Sequence, residues 1–315
     1  MSTNINQQMR PADILILIVL SLVWGGSFFF VEILVKHLPP LTIVTVRVGF
    51  AAIALWGIIA ALKLPLPKTR QHWIALFVVG FLNNALPFCL IAWGQTQISS
   101  GLASILDAAV PFFTVIIAGT MLADERITKP KFVGVLIGLI GTIILIGPEA
   151  LKGLTGSMLG QLAVMVAALS YALAAAYSRR FKSWGISPLM IATGQVTMAT
   201  LMLLPIMLWF DKPWLNAFPP QEAILSLIGL ISLSTVIAYI LYFRLIASAG
   251  ATNAALVAFL IPISAILLGV MFLDESFTPL QAIGMGLIGF GLIIMDGRLV
   301  TKSKVRKETY KAETC

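Results

Sequence analysis

Long apolar runs follow one another almost without interruption along this chain, each about as long as a bilayer is thick and each closed by a short polar turn. A helix that crosses the hydrocarbon core needs roughly 20 predominantly apolar residues. Breaking the runs at proline, glycine and charge clusters gives segments at 14–35, 41–62, 72–96, 101–122 and 132–147, then 157–177, 188–210, 223–246, 252–273 and 279–295. The pattern predicts an all-α polytopic membrane protein of ten transmembrane helices, with no room for a soluble domain. Composition agrees, because 59% hydrophobic and 11% charged residues cannot cover such a chain with polar surface in water.

Arg10 ahead of the first run gives it the look of a signal peptide. The run is long, though, and no small-residue cleavage site closes it, so it reads as the first span. The formal charge of +8 does not imply a nucleic-acid partner, since Lys and Arg gather at run ends and in a basic tail over 297–315. With the N-terminus inside, 17 positive residues fall on inner segments and only Lys36, Lys152 and Lys212 on outer ones. That asymmetry predicts both termini in the cytoplasm.

Two cysteines, Cys89 and Cys315, build neither a disulfide framework nor a metal site. The two histidines, His37 and His72, sit at membrane edges, and no Ser/His/Asp, H-E-x-x-H or phosphate-loop pattern occurs. The chain therefore reads as neither an enzyme nor an ATP-driven pump, with no metal and no cofactor.

Sliding the second half along the first by roughly 150 residues aligns Pro40 with Pro188, Gly80 with Gly229, Gly101 with Gly250, and Asp124-Glu125 with Asp274-Glu275. Gly134 then meets Gly284, and Gly141 meets Gly291. The repeats read as 12–148 and 157–296. Five spans per repeat is an odd number, so the second copy enters the membrane from the opposite side, as in inverted-repeat secondary transporters.

The segments MLADERITKPKFVGVLIGLIGTIILI and MFLDESFTPLQAIGMGLIGFGLIIM, with the opening LSLVWGGSFFFVEIL, resemble the EamA-type family of the drug/metabolite transporter superfamily. The likeness spans 14–295. It implies ten helices in two inverted halves around a central cavity, a multi-pass protein of the bacterial inner (plasma) membrane, and export of amino acids or related metabolites. In this chain the family's usual Gly-Glu reads Asp124-Glu125 and Asp274-Glu275.

Several polar or aromatic residues fall inside the spans and are candidates for the cargo site: Trp24, Arg47, Asn83, Asn84, Asp107, Tyr171 and Gln195. Amides and charges at membrane depth are costly unless something bonds them, so they should face the protein interior. Arg47 and Asp107 each lie roughly 9 to 10 Å from the same surface at 1.5 Å per residue, which predicts that they meet. Trp93, Tyr239 and Tyr242 read as members of the interfacial aromatic belt. Pro111 and Pro262 interrupt corresponding spans, a pointer to a transporter's site, whereas Gly134, Gly138 and Gly141 read as a helix-packing face.

This inventory holds too little positive charge for a sugar phosphate or nucleotide and suits a neutral or zwitterionic metabolite. The partners expected are that small molecule, the lipid bilayer and, as a candidate coupling ion, protons. The competing readings are efflux of lipophilic drug-like compounds through a pocket built on Phe28, Phe29, Phe30 and Phe88, and a structural or receptor-like membrane protein that transports nothing.

Overall fold

The computed structural model describes residues 10–121, 129–146, 156–215, 217–249 and 257–296, and every regular element among them is helical. The helices are α1 (Pro11–Leu34), α2 (Pro40–Ala61), α3 (Arg70–Gly80), α4 (Leu86–Gly94), α5 (Ser100–Asp107), α6 (Val110–Met121) and α7 (Lys129–Ile146). They continue with α8 (Gly156–Ser178), α9 (Arg180–Ser183), α10 (Pro188–Phe210), α11 (Gln221–Ile231), α12 (Ala238–Ala249), α13 (Val257–Phe272) and α14 (Pro279–Asp296). A π-helical turn, Phe81–Ala85, runs α3 into α4, and a second, Ser232–Ile237, runs α11 into α12. Among the described residues seven helical stretches are long and apolar enough to cross a membrane, and α13 and α14 contain shorter apolar helices.

Local chemistry sets the boundaries. Proline at the first helical position, where no donor is lost, opens α2, α10 and α14. Ser99 and Ser187 cap α5 and α10 by accepting from the amides of Leu102 and Met190. Thr278 and Gln281 close a reciprocal capping box at the start of α14. Pro111 follows the two-residue break at Ala108–Ala109 that parts α5 from α6, while α13 carries Pro262 without splitting. Asp124-Glu125, Gly250 and the basic tail lie outside the described residues.

The outer surface is greasy. Phe50, Ile53 and Leu201 are 58, 69 and 60% exposed, as lipid-facing side chains are. Between helices the packing relies on small residues, most of all where α7 meets α14. A Cβ on Gly141 would lie 2.9 Å from the carbonyl oxygen of Gly284, and one on Gly291 would lie 2.6 Å from that of Gly134. The glycine face seen in the sequence is thus a backbone-to-backbone contact.

Polar tethers gather at the ends of the bundle. At the face where α1 ends, Glu275 grips the first turn of α5: Oε1 accepts from the amide and hydroxyl of Ser100 at 2.8 and 2.6 Å, and Oε2 from the Gly101 amide at 3.0 Å. Asp211 beyond α10 accepts from the amide and hydroxyl of Thr42 at 2.8 and 2.7 Å, and His37 meets Glu222 at 2.7 Å. At the face where α1 begins, Ser248 of α12 donates to Asp13 at 2.7 Å.

Candidate functional site

Three spans converge in mid-bundle on one polar group. The first π turn supplies Asn83 and Asn84, α10 supplies Gln195, and α12 supplies Tyr239. Asn83 donates to Gln195 Oε1 at 3.1 Å; Asn84 and Gln195 both donate to the Tyr239 hydroxyl, at 3.0 and 3.2 Å. A π turn widens the helix by one residue and so re-aims side chains that a regular turn would point elsewhere, which is why such turns recur at functional sites. Asn84 is fully buried and Gln195 nearly so.

Arg47 enters this group from α2 and is 7% exposed. Its Nε donates to Thr235 Oγ1 of the second π turn at 3.0 Å, and its guanidinium carbon sits 3.9 Å from the centroid of the Phe88 ring. One edge of the fork is fixed by the hydroxyl and one face by the ring. Nη1 and Nη2 donate to nothing among the described residues. Thr235 in turn donates to the Leu230 carbonyl at 2.9 Å.

Asp107 is the last residue of α5, at the break. The pairing of Arg47 with Asp107 expected from their equal depth does not occur: no ion pair within 4.0 Å joins the two. Depth along a helix follows from residue count, but azimuth does not. Here Arg47 is turned to Thr235 and Phe88, and Tyr171 of α8 lies within electrostatic reach of both charges. Asp107 Oδ1 and Asn84 Oδ1 are buried with no hydrogen-bond partner among the described residues.

The remaining expectations divide. Tyr171 and Gln195 lie inside the bundle, and Trp93, 41% exposed, faces outward as a belt residue would. Tyr239 is corrected: it bonds two amides of the polar group rather than sitting at the membrane edge. The rings of Tyr242 and Trp24 meet in a tilted contact, centroids 5.2 Å apart, within the apolar cluster around Leu17, Leu20 and Leu245. Trp24 itself makes no side-chain hydrogen bond to the group among the described residues. Thr235 was missed as a site residue, and Phe88, expected only in an apolar drug pocket, lies instead under the Arg47 guanidinium. Ser234-Thr235 falls in the second half about where Asn83-Asn84 falls in the first, so the repeat itself held the signal for Thr235.

A groove of about 380 Å³ lies between α2 and α10 and is lined chiefly by Thr45, Gly49, Ile53, Trp56, Thr200 and Leu204. At 100° per residue these residues occupy the sides of α2 and α10 away from Arg47 and Gln195. The groove is thus separate from the polar group.

Chemically, the polar group offers two guanidinium nitrogens of Arg47 and the open Asn84 Oδ1, and the half-buried Asp107 carboxylate at the end of α5 is a further open acceptor outside the hydrogen-bonded group. Such a fork matches a carboxylate in bidentate fashion, and the open acceptors match an ammonium.

The family model described as the EamA-like transporter family matches residues 12–147 and again 158–295. A Bacillus subtilis protein described as an uncharacterized transporter, YoaV, is 26% identical over 88% of this chain and 94% of its own length. An Escherichia coli protein described as a probable amino-acid metabolite efflux pump is 26% identical over 90% of this chain and 94% of its own length. A protein known from a crystal structure shares the fold, with a TM-score of 0.67 at 17% identity, over 93% of this chain and all of its own.

Proposed function

The chain belongs to the EamA-like transporter family, and from that premise we propose that this multi-pass membrane transporter exports a small zwitterionic metabolite of the amino-acid class by alternating access. One observation carries the reading. A guanidinium is always charged, and Arg47 is held deep in the bundle by Thr235 and Phe88 with both terminal nitrogens unspent and no carboxylate opposite. A buried cation so placed calls for an anionic guest, and a cargo carboxylate fills the two donors. Asp107, beyond Tyr171, receives the cargo's ammonium, with Asn84 Oδ1 as a further acceptor. The E. coli relative's description agrees with this cargo class.

The two matches of one family model, at 12–147 and 158–295, support a pair of five-helix repeats. The charge asymmetry supports cytoplasmic termini. On that orientation the tethers of Glu275, Asp211 and Glu222 stand at the outer face, and a bacterial inner membrane is the setting.

The test is efflux from proteoliposomes loaded with L-amino acids, their decarboxylated amines or their N-acetyl derivatives. Transport of the zwitterions alone is expected. Arg47→Gln, with unchanged thermal stability, should lower apparent affinity by roughly 30-fold or more, since a charge-assisted bond contributes about 2 to 3 kcal/mol. Equal transport of amines lacking the carboxylate would overturn the reading. The alternative, efflux of lipophilic compounds, is favoured by the apolar groove between α2 and α10; it predicts that such compounds move and that Arg47→Gln leaves their transport intact.

A further inference from the structure

The connection from α2 to α3 stands at the face where α1 begins, and its counterpart under the shift of roughly 150 residues, from α10 to α11, stands at the opposite face. Both leave their helix through a lysine in the left-handed region, Lys63 at φ 50° and Lys212 at φ 43°. Their charges differ. Asp211 and Glu222 flank Lys212, whereas residues 62–73 carry Lys63, Lys68 and Arg70 and no acid. The short α9 adds cations at the same end of the bundle. The rings of His72 and Trp184 stack at 4.9 Å, and Phe181 is buried against Ala75, Leu76 and Val79 of α3, which leaves its neighbours Arg180 and Lys182 exposed. None of Lys68, Arg70, Arg180 and Lys182 lies within 4.0 Å of a carboxylate among the described residues. Arg70, Ile74, Phe77 and Phe81 recur at i, i+4, i+7 and i+11, one face of α3 and the π turn after it, and all four are exposed. At 1.5 Å per residue this row runs about 16 Å inward from the cation, close to half of a hydrocarbon core of about 30 Å. Trp73 sends its Nε1 back to the Pro67 carbonyl at 3.2 Å, which holds Lys68 near the head of the row.

We propose that this face of α3 binds a phospholipid with a net negative headgroup, its phosphate held by Arg70 and Lys68 and one acyl chain lying along Ile74, Phe77 and Phe81. Cations at the membrane surface, followed by an exposed apolar row one leaflet deep, complement an anionic amphiphile. A guanidinium meets a phosphate through two parallel donors, and the lysine adds a compact charge. Arg180 and Lys182, next to the His72–Trp184 stack, raise the local positive potential that draws the headgroup in. An acidic protein segment would match the cations alone, and it has no use for the row, which lies in hydrocarbon. The α10–α11 connection, with its acids beside Lys212, offers no such excess, so the lipid is held on one face of the membrane only. On the orientation proposed above, that face is the cytoplasmic leaflet, where clustered Lys and Arg beside a span select anionic lipids. The site depends on neither the zwitterion cargo nor alternating access.

The test uses the full-length protein in detergent, with retained lipid counted by native mass spectrometry and the melting midpoint read in parallel. The probes are phosphatidylglycerol and phosphatidylcholine with identical acyl chains, inorganic phosphate, and polyglutamate. Phosphatidylglycerol should be held roughly 30-fold more tightly than phosphatidylcholine, about fivefold for each of two cations, and the margin should shrink as salt is raised. Lys68→Gln combined with Arg70→Gln should lose most of that margin. Lys36→Gln combined with Lys212→Gln should keep it within about twofold, because those lysines stand across the bilayer, beyond the screening length. Should the Lys68 and Arg70 double variant fail to fold, Arg70→Gln alone, with an expected loss of about fivefold, takes its place. Equal retention of the two lipids by the wild type, or an undiminished margin in the variant, would overturn the site. So would polyglutamate that binds more tightly than phosphatidylglycerol, or a midpoint rise with inorganic phosphate as large as with the lipid. None of these outcomes bears on the cargo reading.

Discussion

The two π turns occupy similar places in the two halves of the chain, yet they use their polar side chains differently. In Phe81–Ala85 the paired residues are amides. Asn83 and Asn84 bond Gln195 and Tyr239 across the bundle, and Asn84 keeps one oxygen open. In Ser232–Ile237 they are hydroxyls, and both are consumed by the protein. Ser234 donates to the Val23 carbonyl of α1 at 2.7 Å, and Thr235 bridges the Leu230 carbonyl and the Arg47 guanidinium. The same backbone widening thus keeps an open acceptor in one half, where the proposed cargo site lies, and braces the scaffold in the other. An amide carries donors and an acceptor in one planar unit and can satisfy a neighbour while keeping capacity for a guest; a hydroxyl with one proton has less to spare.

Three substitutions bear on that contrast, in falling order of effect. Asn84→Ala removes both the bond to Tyr239 and the open acceptor, and should weaken cargo binding about tenfold, near 1.4 kcal/mol, as read by counterflow or equilibrium binding. Thr235→Val keeps shape but deprives the Arg47 Nε of its acceptor, and should cost about fivefold in affinity. Ser234→Ala should leave affinity within about twofold and lower stability by roughly 1 kcal/mol, read as a fall in the melting midpoint. Were Ser234→Ala to cost more affinity than Asn84→Ala, the division between a cargo-facing turn and a bracing turn would be wrong.

Much of the architecture was legible because it follows from one-dimensional patterns. Apolar run length marks where helices lie, the serines and prolines mark where they start, and the glycines at 134, 138, 141, 284 and 291 announce the α7–α14 contact. The site was legible only in part. Asn83, Asn84 and Gln195 stood out because amides within apolar runs require partners, and they do bond within one group. What failed depends on rotation about the helix axis. Arg47 and Asp107 share a depth but not a direction, and Tyr239 reads as an edge aromatic until the π turn that ends two residues before it sets where it points. Local widening of a helix has no sequence signature as plain as proline, so its effect on azimuth is invisible until coordinates are available.

The grip of Glu275 on Ser100 and Gly101 also has a consequence for the order of assembly. The carboxylate and the amides it caps are 175 residues apart in the chain. At 5 to 20 residues per second, synthesis leaves the first turn of α5 without this partner for roughly 10 to 35 s. Throughout that interval the amides of Ser100 and Gly101 depend on water at the membrane surface, or on the translocation machinery, for their hydrogen bonds. The entry of α5 into the bilayer is thus provisional until the α13–α14 connection emerges, and a nascent chain stalled before that point should hold its fourth crossing loosely.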